Sequence, residues 1–553
     1  MNYNLAQPFY ESACRLPDRR AIYTDGNALS YRDALQRVRT VAGWLSSQGN
    51  VPKRVGILAS RSAEACIGIL AAAWIGATYV PVNLALPEFG LLEILKRSSI
   101  DALIADEEGS RLLSPSLLAA CPPMVLAHRK HTSASSSGLV ADYSDLTEAP
   151  AITTPRPMES SAPGYILFTS GSTGVPKGVI IPVGAVDHLL RVLDSSHALR
   201  PDDRVGETAA TTFDISVYNM FATWRAGAAL HILSARQMML PSRFIREHQL
   251  TVWFSVPSVA TLMARMKLLH PETFPTLRQT FFCGEPLLGK VAEEWQKAAP
   301  ASTIINMYGP TEATVMCTGE DFSPTCAMTR DIVAIGRPFS GMKAAIATPE
   351  LKWARDGENG ELLLCGPQLA LGYLDDPEKT RSSFVEIDGD RWYRTGDLSR
   401  RDSDGVFHYL GRLDNQVKVL GYRVELEDIE CHLRAVTGCE WLAVIPWPIL
   451  DGSALGLVAF IAGFEGTAEE ARAAMKKRLP LYMVPAAIYS LAQLPMNGNG
   501  KVDRKALASL AASSHPHHQT EHRSAATSVA THANEGAPPQ RSTKECSAKS
   551  SEV

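Results

Sequence analysis

Residues 165–178 read Tyr-Ile-Leu-Phe-Thr-Ser-Gly-Ser-Thr-Gly-Val-Pro-Lys-Gly. An apolar run, Tyr165-Ile166-Leu167, gives way abruptly to a loop of small hydroxyl residues and glycines that ends in a lysine. With only Phe168 and Val175 to bury, this loop cannot pack a core. Exposed backbone N–H groups in such a loop can wrap phosphate oxygens. The hydroxyls of Thr169, Ser170, Ser172 and Thr173 add donors, and Lys177 adds a positive charge. The order differs from GxxxxGK[ST], because neither Ser nor Thr follows Lys177. A flexible linker has the same composition, so the rest of the chain must decide. The loop follows a strand, and the sequence beyond it is expected to be helical.

Working outward, strand and helix patterns alternate on both sides. Ala34–Leu45 and Ala63–Ile75 have helical periodicity, while Val55–Ala59 and Thr78–Val82 are strand-like. Tyr165–Phe168, Val205–Glu207, Val252–Ser255, Thr280–Phe282 and Thr303–Asn306 are further strands, and Ala185–Leu193 is a helix. This alternation predicts an α/β architecture of mainly parallel sheets covered by helices. From about residue 331 the texture changes to short β segments separated by turns such as Asp356-Gly357 and Asp404-Gly405. That stretch predicts a distorted barrel or sandwich. The expected division is a large N-terminal domain over 1–413, a small α+β domain over 414–507 and a disordered tail over 508–553. The tail is polar and has too little apolar surface to offset the entropy of ordering. His515, His517 and His518 are read as part of it rather than as metal ligands.

The 553 residues are 45% hydrophobic and 20% charged, ordinary for a globular protein of several folding units. A net charge of −4 argues against a nucleic-acid partner held by bulk attraction to phosphates. The ten cysteines have no CxxC spacing and suit reduced thiols in a cytoplasmic protein. The N-terminus lacks an apolar signal core. The longest apolar run, Ile67–Val82, is interrupted by Gly68, Gly76 and Pro81, so no membrane span is expected.

The order TSGSTGxPKG resembles the phosphate loop of the adenylate-forming superfamily, which includes acyl-CoA synthetases, luciferases and the adenylation domains of nonribosomal peptide synthesis. The resemblance continues in order through Tyr308-Gly309-Pro310-Thr311-Glu312, Tyr393-Arg394-Thr395-Gly396-Asp397 and Gly411-Arg412-Leu413-Asp414-Asn415-Gln416-Val417-Lys418. It goes on through Gly421-Tyr422-Arg423-Val424-Glu425 and Pro495-Met496-Asn497-Gly498-Asn499-Gly500-Lys501, and covers residues 8–507. It implies a reaction in which a carboxylate attacks ATP to give an acyl-AMP and pyrophosphate. Two anions must meet, so charge must be neutralised and geometry held.

The resemblance implies that Thr169, Ser170, Gly171, Ser172, Thr173, Gly174 and Lys177 grip ATP phosphates. Glu312 helps hold Mg²⁺, Thr311 touches the α-phosphate, and Lys501 bridges carboxylate and phosphate as charge shifts. Tyr308 offers a face to adenine and Gly284-Glu285-Pro286 its edge. Asp397 and Arg412 hold the ribose. Asp414 marks the hinge about which a small domain turns. Read alone, Asp397 is equally a turn residue and Lys501 a surface lysine.

Phe213-Asp214-Ile215-Ser216 resembles the FDxS segment of amino-acid-activating members, where the aspartate pairs with the substrate ammonium. Asp214 is also placed to cap the helical run Val217–Trp224. By the same analogy Ile215, Tyr218, Phe254, Phe281, Cys283, Met307, Val315 and Met316 surround a neutral, apolar side chain. Phe282-Cys283-Gly284-Glu285 is similar to D-alanine:carrier-protein ligases. Two departures stand out: Asn83 ends a VPxD-like segment, and Asn219 replaces the acidic residue usual after FDxSxx. The expected activity is that of a free-standing amino acid:carrier-protein ligase using ATP and Mg²⁺. Its partner is a separate phosphopantetheinylated carrier protein in nonribosomal peptide or hybrid antibiotic biosynthesis. The alternatives are a CoA ligase for a non-amino acid and a noncatalytic binding protein.

Overall fold

The computed structural model describes residues 3–24, 26–47, 50–131, 140–148, 152–171, 176–419, 421–450, 453–497 and 502–514. Contacts divide the chain into a unit over Met1–Gln493 and a second over Leu494–Val553.

Two large sheets organise the first unit. The nine-stranded sheet runs in the order 337–338, 318–321, 303–308, 279–283, 252–255, 204–207, 229–232, 20–24 and 27–30. Its central strands are parallel, as the alternating pattern predicts. The eight-stranded sheet runs 372–373, 177–182, 163–169, 78–81, 54–58, 102–105, 124–126 and 140–141. Helices cover both: Ala63–Trp74 is buried along nearly its whole length, which is why its sequence is apolar on every side. Tyr31–Ser46 begins with a reciprocal capping box between Ser30 and Asp33. The stretch from about residue 331, expected as a distorted barrel or sandwich, contributes a five-stranded antiparallel sheet between 343 and 412, while 372–373 joins the eight-stranded sheet. Residues 416–491 add a four-stranded and a three-stranded sheet with the helices Leu426–Thr437 and Ala468–Lys476.

The glycine-rich loop differs from its expected setting. It closes an antiparallel hairpin, with Thr169 opposite Lys177 and Phe168 opposite Gly178. A strand, Lys177–Pro182, follows it, not a helix. Val179-Ile180-Ile181 is a β-branched run, and it extends rather than coils.

In the second unit the helix Arg504–Ser514 crosses residue 507. The tail expected from 508 therefore begins too early, since Ala506–Ala511 still has the composition of a helix. The histidines at 515, 517 and 518 lie outside the described residues. Among the described residues, no helix is long and apolar enough to cross a membrane.

Candidate active site

The site gathers at the C-terminal ends of parallel strands. Register pairs Phe254 with Phe281 and Cys283 with Met307. Because strand side chains alternate, Phe281 and Cys283 share a face, and the neighbouring strand adds Met307 beside Cys283. Open parallel sheets bind ligands beyond such strand ends. A cavity of about 500 Å³ lies there, lined by Asp214, Ile215, Cys283, Met307 and Val315 together with Tyr308, Asp397 and Arg412. Gly284, Glu285, Pro286 and Thr311 also border it.

Asp214 is the first residue of the helix Asp214–Ala226, and Phe213 is its N-cap. The capping role expected of Asp214 is thus not seen. Its Oδ2 instead accepts a hydrogen bond from Thr311 Oγ1 at 2.7 Å. Burial raises its pKa, against the Thr311 hydrogen bond and the positive charge of Lys418. Lys418, the last residue of the 411–418 motif, also borders this cavity, and the sequence assigns it no role of its own. A Cβ on Gly284 would lie 3.8 Å from its Nζ, an ordinary van der Waals contact, so the two residues are neighbours there.

Four of the other expected pocket residues lie behind the cavity wall. Tyr218, Phe254, Phe281 and Met316 are 0–2% exposed. The three aromatic rings form a triangle with centroids 5.7–5.8 Å apart. They pack on each other, as aromatic rings favour. The Glu285 side chain is engaged elsewhere: Oε2 accepts from Ser258 N at 2.8 Å, at the start of the helix Pro257–Arg265.

Tyr308, Asp397 and Arg412, expected to hold the nucleoside, form one chain of hydrogen bonds with Asp414. Tyr308 Oη donates to Asp397 Oδ2 at 2.5 Å, and Arg412 Nη1 donates to Asp397 Oδ1 at 2.7 Å. Arg412 also holds Asp414 through Nε at 2.8 Å and Nη2 at 2.5 Å. A Cβ on Gly396 would sit 2.8 Å from Arg412 Nη2, so glycine makes that approach feasible.

Glu312 is 1% exposed and takes hydrogen bonds from Tyr373 Oη and Arg423 Nη1, each at 2.8 Å. Ser170, Lys177, Glu312 and Arg423 line one further cavity of about 310 Å³. Hydroxyls, a lysine and an oxygen ligand around one space suit polyphosphate and a hard cation. Ser172, Thr173, Gly174 and Lys501 lie outside the described residues.

Asn219 explains one departure. Its Nδ2 donates to Glu207 Oε1 at 3.2 Å. The acidic group missing from position 219 thus stands on the adjoining strand at Glu207.

A family model described as "AMP-binding enzyme" matches residues 9–374. The chain belongs to the AMP-binding enzyme family. Among AMP-binding relatives it is 30% identical to the D-alanine--D-alanyl carrier protein ligase of Bacillus cytotoxicus, over 90% of this chain and 97% of that protein. It is 32% identical to tyrocidine synthase 2 of Brevibacillus parabrevis over 91% of its own length. It spans 13% of tyrocidine synthase 2 and 44% of the phosphinothricin tripeptide synthetase PhsC of Streptomyces viridochromogenes. The Vibrio cholerae adenylation domain AlmE, solved with glycyl-adenosine-5'-phosphate, superposes with a TM-score of 0.84 at 32% identity, covering 93% of this chain and 98% of AlmE.

Proposed function

We propose that this chain activates a small, neutral, apolar amino acid. The carboxylate oxygen attacks the α-phosphorus of ATP, the bond to pyrophosphate breaks, and aminoacyl-AMP forms. The thiol of a carrier protein's phosphopantetheine arm then attacks the acyl carbonyl, AMP leaves, and the thiol proton passes to solvent.

The observation that carries this reading is Asp214. A carboxylate enclosed beside Ile215, Cys283, Met307 and Val315 costs free energy, and the Thr311 hydrogen bond and the charge of Lys418 leave its pKa still raised, so a further cation stabilises its ionised form. A substrate ammonium group supplies that cation, and a fatty or aryl acid does not. Ile215, Cys283, Met307 and Val315 carry no charge, which favours an uncharged substrate side chain against them. The aromatic triangle behind them leaves little depth, which favours a small one. AlmE's glycyl adenylate and the D-alanyl ligase point the same way.

In this reading Tyr308, Asp397 and Arg412 take the nucleoside, and Thr169, Ser170, Gly171 and Lys177 the phosphates. Glu312 would hold magnesium, which when bound neutralises phosphate charge. Asp414, tied to Arg412, is the hinge for residues 414–493.

The test is ATP–pyrophosphate exchange over all common amino acids plus aryl and fatty acids. Exchange with glycine or alanine, abolished by Asp214→Ala, is the expected result. Exchange with a non-amino acid that Asp214→Ala leaves intact would establish a CoA-ligase-like enzyme instead. No exchange with any acid would leave a binding protein.

A further inference from the structure

The wall of the acid cavity rests on a turn that is costly to form. Thr314 and Val315 both have left-handed φ, +58° and +68°. This region is disfavoured for side chains with a Cβ, most of all for β-branched ones such as these two. Such conformations persist only where their surroundings over-determine them.

Gln368 does this here. It is fully buried, and its Nε2 donates to Met316 O at 2.8 Å and to Ala313 O at 3.3 Å. Its backbone carbonyl accepts from Thr314 Oγ1 at 2.6 Å. The turn is therefore held on both sides of its two left-handed residues. Gly309 closes the opposite side, since a Cβ there would lie 2.5 Å from Met316 Cα. The amide of Gln368 is itself oriented. His188 Nδ1 lies 3.0 Å from Gln368 Oε1, so the imidazole donates there and leaves Nε2 to face the turn. The His188 ring is in turn confined by Gly341, where a Cβ would come within 2.7 Å of it.

We propose that Gln368, oriented by His188, is a positioning residue for the substrate pocket: it holds Ala313–Met316 in its left-handed form and so keeps Val315 on the cavity wall. The inference rests on the amino-acid reading above. Glu312, just upstream, has its own anchors in Tyr373 and Arg423. Loss of the Gln368 donors therefore acts on the amino acid and not on ATP.

Gln368→Met keeps the side-chain length and removes both donors. In ATP–pyrophosphate exchange the KM for the preferred amino acid should rise about tenfold, and discrimination against the next larger side chain should shrink. The KM for ATP should stay within about twofold. A merely structural role would lower kcat and Tm for all substrates alike and leave selectivity in place. Should Gln368→Met fail to fold, His188→Ala and His188→Gln carry the test. The first should raise the amino-acid KM, and the second, which restores a donor to Oε1, should bring it back. Unchanged amino-acid KM and selectivity beside an active wild type sink the clamp alone. A wild-type chain without amino-acid-dependent exchange sinks the amino-acid reading and the clamp with it.

Discussion

Arg423 Nη1 lies 2.8 Å from Glu312 Oε2, so the carboxylate read as a magnesium ligand is neutralised by the segment 423–425. Burial pushes Glu312 up, but the charge and hydrogen bond of Arg423, with Tyr373, hold it below the usual carboxylate range. The same segment engages the phosphate loop. Ser170 Oγ donates to Arg423 O at 3.0 Å and accepts from Glu425 N at 3.1 Å, and Lys177 Nζ lies 3.7 Å from Glu425 Oε1. The described groups read as phosphate-binding are thus already matched, and on that reading Mg-ATP has to compete for them. Arg423→Gln removes the competitor: the KM for Mg-ATP should fall about tenfold, given the ~1.5–3 kcal/mol typical of a charged hydrogen bond. Tm should also fall, because Glu312 is left buried and unpaired. Exchange kinetics with thermal melts check both, and a raised KM would mean that Arg423 binds ATP itself.

Asp214 predicts a pH dependence for the amino acid alone. Its pKa is raised, by burial first, so it becomes neutral at a higher pH than the ~3.9 of a free aspartate. Only the ionised form pairs with an ammonium group. The kcat/KM for the amino acid should therefore fall as pH drops through this raised value, while the KM for ATP follows a different curve. Asp214→Asn should flatten the profile and lower kcat/KM about 10- to 100-fold, the equivalent of ~1.5–3 kcal/mol. A wild-type profile identical to that of the Asn variant would remove Asp214 from substrate binding.

Much of this is legible in the sequence because it is local. Strand positions follow from alternating apolar runs, and short ordered motifs single out Tyr308, Asp397 and Arg412, which the fold brings around one cavity. What escapes is contact between distant segments. Nothing in the order of residues says that Asn219 meets Glu207, that Glu285 caps the helix at Ser258, or that Gln368 holds the turn at Thr314. Composition also misleads at the phosphate loop. Its glycines point to the start of a helix, whereas the β-branched run after Gly178 makes a hairpin. Tyr218, Phe254 and Phe281 belong together by analogy, but only the fold shows that they pack on one another behind the wall.

That packing predicts how to enlarge the pocket. Phe281 is 0% exposed, with Tyr218 and Phe254 at 5.8 and 5.7 Å. Phe281→Ala should cost about 3–5 kcal/mol in chemical denaturation. The space left joins the acid cavity, so valine and leucine should support exchange where the wild type prefers glycine or alanine. A variant destabilised as expected but with unchanged preference would show that the triangle is ordinary core and that depth is set by Ile215, Cys283, Met307 and Val315.

Glu207 makes the clearest stability prediction. Burial pushes its pKa up to about 7, against hydrogen bonds from Ala209 N–H and Asn219 and the charge of Arg61. Among the described residues, its Oε2 and the Oδ1 of Asn219 meet no hydrogen-bond donor. The folded value lies above the ~4.3 of a free glutamate, so the folded state binds the proton more tightly. The resulting stability is fully present below about pH 4.3 and is lost as pH rises through about 7. Asp428, also raised to about 7 by burial, adds to the same trend, so the informative quantity is a difference between variants. Glu207→Gln keeps the shape and cannot ionise. Its advantage over wild type should grow between about pH 4.3 and about pH 7, by at most ~1.4 kcal/mol per pH unit, and level off above that. Its amide can also donate to Asn219 Oδ1. Parallel curves of Tm against pH for the two proteins would mean that Glu207 is ionised in the fold, and that Arg61 rather than a proton balances its charge.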